Sequence, residues 1–410
     1  MAKRQELDKS TASPSIILIA ASMMLAWGGM KLSLPALPEL ERVFDVPGDA
    51  MRATIAAFFV CFALGQLAWG MISDRIGRRG PLLAGLALAA VGSVVVLVSE
   101  SVIVFGIGRC LEGIGLSAMS PIGRGILFES RPPRQAKHSL GFVSMCTASI
   151  PMFGQVIGGY LVAYASWRWI FAAFLAMTLV TMLVVWRTLP ETHPRSSKYA
   201  RPASGRALVG ILRNRTFWAN ALCYITCSGT LLGYYAAMPF WYCEDLSIPV
   251  QVYPWLAGFT VGAYILGLVV ARRLAARTGG RSLLWAGMFI ALLPGLCLMS
   301  LWTVEFSTTT TAILLVGASM LLALGAGMVF PGANAGAIGL FPESPGLASA
   351  ATVTGVFLMA GIMSYLEGHL QAPLLGPIGL TLTIPFVLVI PVVVILARRS
   401  DQHMSEVFHR

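Results

Sequence analysis

The chain has 410 residues, 57% of them hydrophobic and only 11% charged, with a formal net charge of +11. A soluble domain carries roughly 25% charged residues, whereas this chain holds many apolar runs of about 20 residues, each able to cross a hydrocarbon core. A soluble globular fold is excluded, and no nucleic-acid partner is expected, because the basic residues sit in short loops where Lys and Arg fix membrane orientation.

The apolar pattern predicts twelve spans near 15–36, 50–72, 80–99, 102–126, 139–164, 167–189, 216–242, 252–275, 282–302, 308–338, 346–369 and 375–397. Pro, Gly and charged residues punctuate the gaps. The tail 1–14 is polar and shows no cleavable signal. Lys3, Arg4 and Lys9, then Arg75, Arg78 and Arg79, then Arg131, Arg134 and Lys137, then Arg272, Arg273, Arg277 and Arg281 fall in alternate loops. The intervening loops are acidic, with Glu39, Glu41, Asp45, Asp49, Glu100, Glu244, Asp245 and Glu305. Both termini, 1–14 and 398–410, are therefore expected to be cytoplasmic. A basic stretch at 190–215 reads as a flexible or surface-lying linker between six-span halves at 15–189 and 216–397. The expected fold is all-α, polytopic, with two pseudo-symmetric six-helix bundles.

Seven cysteines are scattered through the runs. Cys223 and Cys227 lie four apart without a nearby His or further Cys, so they read as small apolar filler. Neither a metal nor another cofactor is expected, and no nucleophile–base set or P-loop marks an enzyme.

The stretch Gly70 to Gly80 packs four charges and three glycines between two spans. Gly70 suits close helix approach and Gly77 a tight turn. Asp74 suits a helix cap or an arginine partner, and Arg75, Arg78 and Arg79 suit helix-end carbonyls or lipid headgroups. Arg109 lies inside the fourth span, where a charge is expensive unless paired or hydrated. Glu112 follows one turn later on the same face. Pairing favours the ionised carboxylate and desolvation the neutral acid, so Glu112 is a candidate proton carrier, with a structural salt bridge as the alternative. Lys31 reads either as a substrate-facing cation or as a lysine snorkelling to the interface.

In the second half, Tyr234 and Tyr235 sit mid-helix near Pro239 and suit stacking on a substrate. Trp241, Tyr242, Tyr253 and Trp255 suit an interface belt. Asn334, between Gly332 and Gly336, needs a hydrogen-bond partner that a substrate can supply. Glu367 and His369 read as a solvated rim.

Gly70 to Gly80 resembles the loop motif of the major facilitator superfamily, G-x-x-x-D-R-x-G-R-R/K. Arg109 to Gly115 resembles its R-x-x-Q-G-x-G, with Glu112 in place of Gln. Gly154-Gln155-Val156-Ile157-Gly158-Gly159 resembles the antiporter motif ending G-P-x-x-G-G, without the proline. Leu34 to Pro38, Arg124 with Glu129, Trp167 to Phe171, Leu189 to Thr192 and Gly346 to Ala350 are similar to the bicyclomycin/chloramphenicol-resistance branch of the drug:proton antiporters. The resemblance covers nearly the whole chain. It implies proton-coupled antiport of small organic molecules by alternating access in a bacterial inner membrane, by a monomer with small-molecule substrate, protons and the lipid bilayer as partners. The Gly70–Gly80 loop would stabilise one side of the cycle. Lys31 stands where that branch often carries an acid, which opens the alternative of a dedicated exporter of an anionic or zwitterionic metabolite such as a siderophore.

Overall fold

A chain in a bilayer must satisfy its backbone polar groups within each segment, and apolar runs therefore become helices. The computed structural model describes residues 15–131, 135, 139, 142–143, 146–147, 154, 157–192, 205–249, 251–278, 280–304, 306–341, 345–368 and 375–408. Its elements are α1 Ile16–Lys31, a 3-10 turn Leu34–Ala36, α2 Leu37–Phe44, α3 Gly48–Ile76, α4 Arg79–Leu97, α5 Val102–Ser117, α6 Met119–Glu129 and α7 Trp167–Thr188. The second half has α8 Gly205–Arg213, α9 Arg215–Phe240, a π turn Trp241–Asp245, α10 Tyr253–Thr278, α11 Gly280–Ser300, α12 Thr308–Gly339, α13 Pro345–Gly368 and α14 Leu375–Phe408. Among the described residues, ten helical segments are long and apolar enough to cross a membrane. Of the fifth predicted span, 139–164, nearly half lies outside the described residues.

Two boundaries differ from the sequence pattern for a local reason. The first span stops as an α-helix at Lys31, because Pro35 and Pro38 cannot continue its hydrogen-bond ladder. The chain turns through Leu34–Ala36 into the amphipathic α2, capped by Asp45 in a left-handed conformation. The fourth span breaks at Ala118, just before Pro121, into α5 and α6. The twelfth helix carries on past the expected end at 397, to Phe408. In the linker, α8 lies against the core through Ile211 while Val209 and Leu212 are exposed.

Small residues let helices approach closely where no hydrophobic effect drives them together. A Cβ at Gly92 of α4 would lie 2.5 Å from the Glu112 nitrogen of α5, and Gly85 and Gly115 make similar contacts along the same crossing. Gly70 is different from expectation: its nearest neighbour would be Pro121 Cβ at 3.8 Å, an ordinary contact. The tight approach of α3 to α5 is instead at Gly65, against the Ile114 backbone, and Trp69 Nε1 donates to the Ile114 carbonyl at 2.8 Å beside it.

The halves meet along α3 and α13, which pack against each other. Phe357 of α13 sits 4.3 Å from Phe62, 5.9 Å from Phe59 and 5.7 Å from Trp27, ring centre to ring centre. Thr354 donates across the same seam to the Ala63 carbonyl at 3.1 Å. One face of the molecule carries the Gly70–Gly80 loop; the opposite face carries the start of α3 and the ends of α9 and α13.

Candidate functional site

The fourth span places Arg109 and Glu112 three residues apart, and both are buried, at 5% and 0% exposure. Arg109 Nη1 lies 2.5 Å from Glu112 Oε2. Ser93 of α4 donates to the other carboxylate oxygen at 2.6 Å. Arg109 also donates to the Gly29 carbonyl of α1 at 3.4 Å and stands over the Phe58 ring of α3 at 4.3 Å, with the Phe171 ring of α7 at 5.6 Å. Five helices of the N-terminal half thus meet on one ion pair. Phe58 in turn touches Phe59 and Phe62, which reach Phe357 in the other half. A pair this desolvated contributes little net stability but is costly to break.

Of the two roles expected for Asp74, the Gly70–Gly80 loop shows the arginine partner and not the helix cap. Asp74 pairs with Arg78 at 2.5 Å, and Arg78 also binds Glu129 of α6 at 2.7 Å and Ser73 at 2.7 Å. The start of α4 is capped by Glu191, beyond α7, which accepts from the Arg78 nitrogen at 2.8 Å and the Arg79 nitrogen at 3.3 Å. Arg79 donates from Nη2 to the Trp186 carbonyl near the end of α7 at 2.5 Å, a helix-end carbonyl as its charge suggests. Gly77 has φ +109, and a Cβ there would stand 2.6 Å from the Glu191 carboxylate. Arg75 is exposed. These partners of Asp74, Arg78 and Arg79 belong to the N-terminal half or, for Glu191, to the first residues after it. Across the halves on this face, Arg124 of α6 donates to Ser349 of α13, and to its own neighbour Ser120 at 2.5 Å.

Other expected site residues divide. Tyr234 is buried in the C-terminal half's own core, its hydroxyl donating to the Leu315 carbonyl at 2.8 Å and its ring 5.0 Å from Trp241. Tyr235 belongs to the same core. In this conformation both face their own bundle, and their stacking role is not visible in it. Trp241, Tyr242 and Tyr253, expected in a belt, are buried there too, whereas Trp255 is exposed. Asn334 keeps its Oδ1 without a hydrogen-bond partner among the described residues. Lys31 closes α1; its side chain lies outside the described residues, as do Gln155 and His369. Gly154, Gly158 and Gly159 are buried, and Gly158 is close enough to the Leu32 carbonyl that a Cβ would collide with it. Cys223 donates to the Ala219 carbonyl and Cys227 to Met288 Sδ.

Three features escape a reading of the sequence: the Phe357 cluster, Ser93 beside Glu112, and a carboxyl pair on the opposite face. There the Glu244 carboxyl, after α9, lies beside that of Glu41 of α2, near Arg42 and Arg52. Burial first, then the neighbouring carboxylate, lifts the Glu244 carboxyl from 4.5 to about 7. An acid whose pKa is raised by the contact stabilises it fully below its ordinary pKa and loses that stabilisation as pH rises through the raised one. Spin labels at Val43 and Val252, one on each half, are expected to move apart when pH rises from about 5 to about 8, and Glu244→Gln should flatten that response. A pH-independent distance in the parent protein would contradict it.

Two helical bundles joined on one seam, with an ion pair buried beside it, define a polytopic membrane protein of two-bundle design. The chain belongs to the Major Facilitator Superfamily, whose profile matches residues 19–402. It is 25% identical to the Multidrug resistance protein D of Escherichia coli (strain K12), over 91% of this chain and 94% of that one. It is 28% identical to an uncharacterized transporter of Rickettsia bellii (strain RML369-C) over 56% of this chain, and spans only 57% of that relative's length. A Chloramphenicol resistance protein of Pseudomonas aeruginosa is 27% identical over 55% of this chain and 53% of its own. The partially occluded inward open structure of the xylose transporter XylE from E. coli superposes with a TM-score of 0.71 at 14% identity, covering 93% of this chain and 96% of that one. At that identity the likeness speaks to the fold alone.

Proposed function

We propose that this chain is a secondary transporter exporting small organic molecules such as drugs in exchange for protons, by alternating access of halves 15–189 and 216–397. It acts as a monomer in a bacterial inner membrane, with both termini cytoplasmic. The observation that carries this reading is the buried Arg109–Glu112 pair, 2.5 Å apart and one ring contact from the seam. A desolvated carboxylate held by one arginine and one serine changes its proton affinity whenever water or substrate disturbs either partner. The multidrug and chloramphenicol-resistance names of the relatives support the substrate class. In this scheme Arg109 and Glu112 couple protons, and Lys31, Arg109, Asn334, Tyr234 and Tyr235 bind substrate once the halves rearrange. The alternative, an exporter of anionic or zwitterionic metabolites, draws on an excess of buried cations. Pairing of Arg109 with Glu112, and the burial of a second acid, Glu367, reduce that excess.

The test is transport in proteoliposomes. Glu112→Gln is expected to abolish drug export driven by a pH gradient, a loss of at least about tenfold, equivalent to some 1.4 kcal/mol of coupling, while drug binding to the purified protein persists. Undiminished gradient-driven export would remove Glu112 from the coupling mechanism.

A further inference from the structure

Glu367 is one residue from the end of α13, where the sequence suggests a solvated rim, yet it is 0% exposed. Neither of its carboxyl oxygens has a hydrogen-bond partner among the described residues. The cover comes from packing: α13 lies against α9 of its own half and against α3 of the other, whose first turns lie at this face. Among the described residues, the charged and titratable groups that face Glu367 are Arg52 from α3 and Tyr234 from α9. Arg52 stands over the Phe240 ring at 4.4 Å, so it bridges the halves here. Arg52 feels the Glu367 carboxyl electrostatically but makes no hydrogen bond to either of its oxygens. An ionised carboxylate buried without a hydrogen bond is far more expensive than the neutral acid in the same place.

We propose that Glu367 is a second proton-binding site, in the C-terminal half, occupied while α3 and α13 are closed over it and emptied when they part on this face. The proton comes from water as the face closes, forming an O–H bond on the carboxylate. On opening, that bond breaks to water and the resulting carboxylate gains solvent and the Arg52 guanidinium as partners. Glu112 and Glu367 then place one acid in each half, so that closure at the seam is itself linked to proton uptake. The proposal rests on the proton-coupling role proposed for Glu112, and it extends that role to a residue in the other bundle.

Infrared difference spectroscopy of the full chain in lipid nanodiscs, stepped from acid to alkaline pH, reads the protonated carboxyl directly. The expected result is a carbonyl band that disappears at high pH, is missing in Glu367→Gln, and survives in Glu112→Gln. In proteoliposomes, Glu367→Gln should lower the number of protons exchanged per substrate by one. Spectra of Glu367→Gln identical to the parent's, or an unchanged proton-to-substrate ratio, would overturn the proposal. If the parent moves no protons with substrate, the antiport reading fails while the band still decides whether Glu367 binds a proton. If Glu367→Gln does not fold, Glu367→Asp replaces it, with the band expected to shift in frequency; an unshifted band counts against Glu367.

Discussion

Glu112→Ala is expected to lower the stability of the folded protein by about 3–5 kcal/mol, because it strands the Arg109 guanidinium in a buried site with no counter-charge. The remaining partners of Arg109, the Gly29 carbonyl at 3.4 Å and the Phe58 ring at 4.3 Å, do not replace a carboxylate at 2.5 Å. Thermal unfolding in detergent, followed by tryptophan fluorescence, measures the loss. Glu112→Gln should lose less, since an amide oxygen still accepts from Ser93 and Arg109. Replacing both members by apolar residues of similar size should recover most of the stability, as buried ion pairs are often nearly neutral against hydrophobic replacements. The double variant would then be folded and uncoupled, which separates the structural part of the pair from its transport part. A Glu112→Ala protein as stable as the parent would mean that the pair is hydrated.

Gly77→Ala is the second large effect. At φ +109 and ψ 172 the backbone occupies a region open essentially to glycine alone, and forcing a side chain there costs about 1–3 kcal/mol. The new Cβ would also meet the Glu191 carboxylate, which caps α4 through two backbone nitrogens; losing that cap adds about 0.5–2 kcal/mol. The two terms are separable. Glu191→Ala alone should show only the cap loss, and in the Gly77→Ala background it should cost much less, because the displaced carboxylate has already let go. Additive effects in this cycle would show that Gly77 and Glu191 do not interact. Since the contacts of Arg78, Arg79 and Glu191 tie α3, α4, α6 and α7 within one half, the expected defect is a loosened N-terminal bundle. Separation of the halves on this face is a different event, which would break the hydrogen bond from Arg124 to Ser349.

The apolar runs, the Gly70–Gly80 loop and the Arg109–Gly115 stretch make the class legible, since membrane length and buried charge are properties of short stretches. The Arg109–Glu112 pair is equally legible, because positions i and i+3 on a helix must be neighbours. What surrounds that pair is not. Ser93, the Gly29 carbonyl and Phe58 come from three other helices, and nothing local marks which serine or which phenylalanine will face a given charge. Tyr234 shows the same limit from the other side: its hydroxyl is satisfied by the carbonyl of Leu315, 81 residues away. Glu367 looks like a rim residue because it ends an apolar run; its burial comes from the packing of α13 on α9 and α3, helices far from it in the chain. Glu191 is visible as part of Leu189-Pro190-Glu191-Thr192, but its grip on α4 depends on a turn more than a hundred residues earlier in the chain.

That grip sets a load path. The N-terminal bundle is fastened at its own exit, since the residue at which the chain leaves α7 is bound to the start of α4. Thirteen residues separate Glu191 from α8, and a chain of that length reaches at most roughly 45 Å. Tension from the second bundle arrives first at Glu191, and so enters the first bundle at the turn between α3 and α4 as well as through α7. A pull arriving at Glu191 is felt at the Gly77 turn, where Arg78 holds Asp74 and Glu129.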